Sequence, residues 1–311
     1  VARKLRLQYP GAVYHLMSRG DHREPVFLED DDRRKFLSTL AEACAKTDWQ
    51  VHAYCLMNNH FHLVVETPKA NLADGMKWFL GTYTARFNRH HRLCGHLFSG
   101  RYKSLLVDHS GNGYFKTVCD YVHLNPVRAR LLQPHEPLQT YPWSSYGQYL
   151  LQPGQRAAWL RVDRLLGEMG IRADNADGRR EFARQMDASQ RLDLTDEYGK
   201  IRRSWCYGDE AFRQELLLQA SPQMGEHHFG EERRESAEDK AARMVAAGLK
   251  EAGWQESDLA LLPKGHPVKI ALARRLRQET TLPLKWISTR LQMGSWRSVN
   301  QRLYEQRQTK W

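Results

Sequence analysis

The sequence predicts an α+β fold, with an antiparallel sheet over about the first 150 residues and an all-α region at the C-terminal end. Three observations predict it. Period-two alternation of apolar and polar residues marks four strands between Gly11 and Asp108, and amphipathic runs at helical spacing separate them. The order that results is strand, helix, strand, strand, helix, strand, the split βαβ order of a ferredoxin-like sandwich with helices on one face and the other face open. Beyond Leu150 the composition shifts and only helical spacing recurs.

A basic arm, Arg3, Lys4 and Arg6, precedes the first strand, Gly11 to Arg19, where Val13, His15 and Met17 alternate with Tyr14, Leu16 and Ser18 before Gly20 ends the run. Glu29-Asp30-Asp31-Asp32 then opens a helix carrying Phe36, Leu37, Leu40, Ala41 and Cys44 at helical spacing. Carboxylates in a first turn suit the helix dipole, and metal binding is the alternative use for them. Trp49 to Leu56 reads as the second strand, joined through Met57-Asn58-Asn59 to a third in a hairpin. Asn71 to Arg89 is a long helix with Leu72, Met76, Phe79, Leu80, Tyr83 and Phe87 on one side. Its basic end, Arg86, Arg89, His90, His91 and Arg92, either complements the dipole or contacts phosphate. Phe98-Ser99-Gly100-Arg101-Tyr102-Lys103 leads into the fourth strand, Ser104 to Asp108.

The third strand, His60-Phe61-His62-Leu63-Val64-Val65-Glu66, carries the chemistry. Alternation puts His60, His62, Val64 and Glu66 on one face and Phe61, Leu63 and Val65 on the other. Two imidazoles from one rigid strand offer two coordination positions to a divalent metal. A His-hydrophobic-His triplet equally suits residues that only pack or face water. The open face of the sandwich is where the pair is expected to point.

A complementary set follows at Asn112 to Pro126, where Phe115, Val118 and Val122 bury one side of a helix and leave Tyr121 and Asn125 stacked four residues apart. Asn125 suits a third metal ligand and Tyr121 a nucleophile. The other readings stay open: Asn125-Pro126 also fits an N-cap and first helical position before Val127 to Leu132, and Tyr121 also fits a core tyrosine. Tyr114, two turns earlier, is the alternative nucleophile, and Glu66 the alternative ligand.

Composition limits the partners. Lys and Arg number 47 against 36 acidic residues, a net charge of +11, which favours a polyanion. Five cysteines, Cys44, Cys55, Cys94, Cys119 and Cys206, are widely spaced with no Cys-x-x-Cys pair, which argues against a disulfide framework or zinc knuckle. The mean hydropathy is −0.68, no apolar run approaches the ~18 residues of a membrane span, and no signal-peptide core is evident, so a soluble, intracellular chain with no membrane partner is expected.

The paired histidines, Gly100-Arg101-Tyr102-Lys103, Asp120-Tyr121-Val122-His123-Leu124-Asn125-Pro126-Val127-Arg128-Ala129 and Tyr141-Pro142-Trp143-Ser144-Ser145-Tyr146 together resemble the single-tyrosine HUH transposases, and within them the REP-associated tyrosine transposases (RAYT). The resemblance spans residues 8 to 150. It implies an HUH nuclease fold and a bacterial, cytoplasmic, nucleoid-associated enzyme that cleaves and rejoins single-stranded DNA, with palindromic repeat hairpins as substrates. His60, His62 and Asn125 would hold a divalent ion, Mg²⁺ or Mn²⁺, and Tyr121 would form a 5′-phosphotyrosine link. Arg101, Lys103 and Arg128 would place charge near the phosphate, with Arg3, Lys4 and Arg6 assisting recognition. Relatives include monomers and homodimers, so both states stay open. Two alternatives remain: a DNA-binding regulator that kept the fold without catalysis, and a metal-dependent RNA-processing enzyme.

Domain limits are expected at 1–150, at 151–236 for a helical, partly flexible connector, and at 237–311 for a helical DNA-binding domain. Ala157 to Ile171 reads as a helix, with helical patches at Glu181 to Met186 and Asp209 to Leu218, and a flexible tract from Gly225 to Arg234 containing His227 and His228. Helices follow at Ala237 to Ala252 and Val268 to Gln278. Leu284 to Leu291, the turn Gln292-Met293-Gly294 and Ser295 or Trp296 to Arg307 are spaced as a helix-turn-helix, which puts Arg297, Asn300, Gln301 and Arg302 on a recognition helix. A plain three-helix bundle with a basic surface is the alternative.

Overall fold

A computed structural model describes residues 7–133, 136–190, 195–220 and 231–308. The basic arm with Arg3, Lys4 and Arg6, and the pair His227 and His228, lie outside the described residues. The chain divides into two compact units, Val1–Pro222 and Gln223–Trp311.

The first unit is built on a five-stranded sheet in the order β2-β3-β1-β4-β5. Its strands are β1 (Ala12–Arg19), β2 (Gln50–Leu56), β3 (His60–Thr67), β4 (Lys103–Val107) and a short β5 (Cys206–Tyr207). With α1 (Asp30–Thr47) and α2 (Leu72–His91) between them, the first four strands give the expected ferredoxin-like order, every neighbouring pair antiparallel. The alternation read from β3 holds: Phe61 packs under α1 and α2 against Phe36 and Phe79, at ring separations of 4.9 and 6.3 Å. Phe36 is fully buried, and burying a side chain of that size stabilises by roughly 3 kcal/mol.

Local chemistry sets the ends of α1 and α2. The Asp32 carboxylate accepts from the backbone N–H groups of Leu28 and Glu29 in a capping box, which accounts for the acidic run at the start of α1. In α2, Gly75 meets the face of Trp49 so closely that a Cβ would sit 2.1 Å from the ring, and Trp49 is held there by its Nε1 donating to Asn71 Oδ1 at 2.9 Å.

The opposite face of the sheet is covered, where the sequence left it open. Helix α3 (Tyr114–His123) lies across it, burying Phe115, Val118 and Val122, so His62 and Val64 point into protein. Its amphipathic stripe was read correctly, but its partner surface is non-local and no local pattern names it. The short helix α4 (Asn125–Arg128) follows directly. Asn125 is not an N-cap: that position belongs to Leu124, and Asn125 Nδ2 donates instead to the carbonyl of Tyr121 at 3.0 Å.

Residues 151–220, read above as connector, pack into the core of this unit. After α5 (Tyr146–Leu150), the helix expected over Ala157 to Ile171 is confined to α6 (Asp163–Glu168), and α7 (Ala176–Gln190), α8 (Thr195–Arg203) and α9 (Glu210–Ala220) follow. Each contributes one or two large residues: Leu165, Phe182, Met186, Tyr198, Ile201 and Leu216 are all buried in the core. Phe182 stacks on Tyr149 at 4.7 Å. The polar average of these segments hid anchors that occur once or twice per helix.

The second unit holds α10 (Glu231–Ala252), α11 (Asp258–Leu261), α12 (Pro267–Glu279), α13 (Leu284–Arg290) and α14 (Trp296–Gln308) around a core that includes Val245, Leu272, Leu276, Ile287, Leu291, Met293 and Val299. Lys269 is fully buried, and its ammonium donates to the carbonyls of Leu259 and Leu262 at 2.8 and 2.9 Å, tying the end of α11 to α12. The turn from α13 to α14 takes Gln292 and Gly294 to φ 52° and 83°, the left-handed region that glycine enters at no steric cost. Among the described residues no helix is long and apolar enough to cross a membrane.

Candidate active site

Strand pairing assembles the site. In the β1–β3 register Met17 faces His62 and Arg19 faces His60, so one end of the sheet collects imidazoles and a guanidinium on the face beneath α3. His15 Nε2 lies 2.9 Å from His62 Nδ1, with the rings stacked 5.1 Å apart and 9° from parallel. His60 follows edge-on to His62 at 5.0 Å, and its Nδ1 lies 2.7 Å from Asn59 Oδ1. Both rings therefore engage Nδ1, which leaves Nε2 of His60 and of His62 as the atoms for a ligand.

Tyr121, on α3, meets this group from the other side, with ring centroids 5.5 Å from His15 and 5.6 Å from His62. Asn125, one turn later, has its amide nitrogen committed to the Tyr121 carbonyl, and its oxygen is the group it offers. The Arg128 guanidinium sits 4.5 Å from the centre of the Tyr121 ring.

These residues line one cavity of about 340 Å³, together with Met17, Arg19, Lys103, Ser104, Leu105, Ala129, Ile201, Arg202 and Ser204. Four cations, Arg19, Lys103, Arg128 and Arg202, border it, and among the described residues no carboxylate does. Burial lowers the His15 and His60 pKa values to about 4, Arg19 adding to the effect at His60. His62 is lowered well below its ordinary value by burial first, then by His15, His60 and the nearby arginines. All three rings are thus neutral at pH 7, the form that binds a metal.

The structure gathers His60, His62, Tyr121, Asn125, Lys103 and Arg128 around this cavity. Arg101 is exposed and does not line it. Glu66 is elsewhere engaged: His52 Nε2 lies 3.1 Å from its carboxylate, and Arg164 and Arg161 donate to it at 2.6 and 3.3 Å. Tyr114 packs edge-on against Tyr207 at 5.1 Å and lines a different cavity with Glu197, Lys200 and Trp205. Sequence reasoning passed over His15, Arg19, Tyr198, Arg202 and Ser204 as site residues. His15 and Arg19 share a parity on β1 that had a signal to give; the other three had none.

A second set of possible ligands, Glu29, Asp32, His90 and His91, has donor atoms within 4.8 Å of one another where α1 begins and α2 ends. His91 Nε2 lies 2.9 Å from both Asp32 oxygens and His90 Nε2 2.5 Å from Glu29, so hydrogen bonds within the cluster already engage these groups.

Residues 8–125 match the family model described as Transposase IS200 like. These residues are thus similar to an IS200-like transposase domain. The matched stretch contains β1 to β4 and α3, and with them both histidines of β3, Tyr121 and Asn125. Comparison with curated proteins gives no match. Among solved structures, a REP-associated tyrosine transposase bound to a REP hairpin is similar over 53% of this chain and 93% of that one, with a TM-score of 0.41 and 11% identity.

Proposed function

We propose that the chain is a metal-dependent single-strand DNA endonuclease and strand transferase that works through a 5′-phosphotyrosine intermediate. The observation that carries the reading is the cavity itself, in which Tyr121, three neutral histidines and four cations converge with no carboxylate among the described lining residues. Such a lining suits a phosphodiester, and the transposase domain supplies the reaction class.

The donor set fits a divalent ion: Nε2 of His60, Nε2 of His62 and the amide oxygen of Asn125 are the groups left free by the contacts that orient them. Bound there, Mg²⁺ or Mn²⁺ supplies Lewis acidity toward a non-bridging phosphate oxygen. Tyr121 Oη attacks phosphorus and loses its proton to solvent; the bond from phosphorus to the 3′ oxygen breaks, and that oxygen takes up a proton as a free 3′-hydroxyl. Attack by another 3′-hydroxyl on the phosphotyrosine reverses the step and joins strands, with the diester energy conserved. Arg128 over the Tyr121 ring favours the developing phenolate, and Arg19, Lys103 and Arg202 hold the backbone.

The second unit serves duplex or hairpin stems, with α13, the turn at Gly294 and α14 as a helix-turn-helix. Arg297, Asn300 and Gln301 are exposed on α14, while Arg302 is half-buried with its guanidinium against Gly265. Arg302 is therefore assigned to packing more than to reading. Palindromic repeat hairpins as substrates, and action in the bacterial cytoplasm at the nucleoid, follow from the sequence resemblance.

The test is incubation of wild-type and Tyr121→Phe protein with end-labelled single-stranded hairpin DNA and Mn²⁺ or Mg²⁺, resolved on a denaturing gel. A protease-sensitive adduct that needs metal and is absent with Tyr121→Phe is the expected result. Hairpins that are bound but never cut would hand the chain to the regulator reading.

A further inference from the structure

The Arg128 guanidinium does not rest on Tyr121 alone. Its Cζ lies 4.5 Å from the centre of the Tyr121 ring and 4.3 Å from that of Tyr198, and the two tyrosine rings meet edge-on at 5.2 Å and 67°. Tyr198 stands on α8, some seventy residues beyond the end of the transposase domain. Its side chain is buried, and its hydroxyl makes no hydrogen bond. What the residue contributes is therefore its ring. The same helix and the residue after it bring Ile201, Arg202 and Ser204 to the cavity wall.

An arginine is costly to hold still, since fixing its side chain loses roughly 2 kcal/mol of rotamer freedom. Two aromatic faces on one guanidinium offset that loss, and the second face belongs to Tyr198. Remove it, and Arg128 regains its rotamers while one side of the Tyr121 ring loses its support.

We propose that Tyr198 is a positioning residue for strand cleavage: its ring clamps Arg128 against Tyr121 and so fixes the nucleophile's orientation from outside the transposase domain. The inference rests on the proposed function for the role of Tyr121, and it gives residues 195–204 a part in the chemistry rather than in linkage. A misoriented nucleophile slows the chemical step without loosening substrate, because effective molarity falls off steeply with small displacements.

The experiment uses the full chain as wild type, Tyr198→Ala and Tyr198→Phe. Single-turnover cleavage of a labelled hairpin with Mn²⁺ is measured beside the hairpin's Kd. The expected result is a loss of about 10- to 100-fold in cleavage rate for Tyr198→Ala, with Kd within about twofold of wild type, and recovery in Tyr198→Phe, which keeps every contact the ring makes. Cleavage by Tyr198→Ala at the wild-type rate overturns the inference, as does equal impairment of Tyr198→Phe. A second reading needs no cleavage: nitration of Tyr121 by tetranitromethane, followed by peptide mass spectrometry, should be slow in wild type and Tyr198→Phe and several-fold faster in Tyr198→Ala. Wild type that cuts nothing but shows this nitration pattern defeats the proposed function and leaves the clamp standing; equal nitration in all three proteins defeats the clamp.

Discussion

His15 Nε2 and His62 Nδ1 lie 2.9 Å apart with their rings nearly parallel, so one histidine of the proposed metal-ligand pair on β3 is oriented by an imidazole from the neighbouring strand. For His62 Nε2 to be open to a metal, its Nδ1–H donates to His15 Nε2, and partners that hold a ligating imidazole in this way typically contribute about 10- to 100-fold to metal affinity. His15→Ala should weaken Mn²⁺ binding by about that factor in isothermal titration, with the far-ultraviolet circular dichroism unchanged. Unaltered affinity would show that β3 alone orients His62.

Glu66 is held down to about 2, first by the hydrogen bond from His52 and then by Arg164, against an ordinary value near 4.5. A carboxylate depressed in the folded state adds stability above its unfolded value and loses it as the pH falls through the folded one. The loss therefore falls between about pH 4.5 and pH 2. Glu66→Gln should lower the unfolding free energy at pH 7 by on the order of 2 kcal/mol after solvent screening, with the gap to wild type closing as the pH approaches 2. Urea melts at pH 7, 4.5 and 3 would measure it.

Two glycines on α2 should respond to the same change with opposite signs. A Cβ on Gly75 would meet the Trp49 ring at 2.1 Å, whereas one on Gly81 meets nothing within 4 Å. Gly75→Ala should cost about 1–2 kcal/mol through overpacking, even though alanine is the better helix former. Gly81→Ala should stabilise by about 0.5–1 kcal/mol. Thermal melts of both variants decide the matter, and a gain at Gly75 would mean that Trp49 moves aside freely.

Arg297 is the exposed cation at the start of α14. If α14 lies on duplex DNA, Arg297→Ala should reduce the slope of log K against log salt by about one for a hairpin stem and leave cleavage of an already bound substrate unchanged. A slope identical to wild type would remove this residue from the interface.

The first four strands were legible because each carries its own alternation, and the His60-Phe61-His62 parity put both imidazoles on one face; β5, two residues long, carries no such pattern. Tyr121 and Asn125 were legible as an i, i+4 pair. The covering of that face by α3 was not, since helix and sheet meet through residues remote in sequence. His15 was seen as a strand residue, but its place beside His62 depends on the β1–β3 register, and alternation alone does not set register between strands. Tyr198 was invisible: one aromatic in a polar helix gives no periodic signal, and its importance arises only from what folds back against it.

Both margins of the four strands β2-β3-β1-β4 are met by chain from beyond residue 125. Along β2, Leu56 N–H donates to the Trp143 carbonyl, Ser145 N–H to that of Tyr54 and Arg161 N–H to that of Val51; along β4, Leu106 and Asp108 donate to the carbonyls of Trp205 and Tyr207. Excised at residue 125, the domain would present two bare rows of backbone donors and acceptors, the surface on which foreign strands add and aggregates grow. In the intact chain those hydrogen bonds occupy backbone positions on β2 and β4 that a second copy would otherwise pair with.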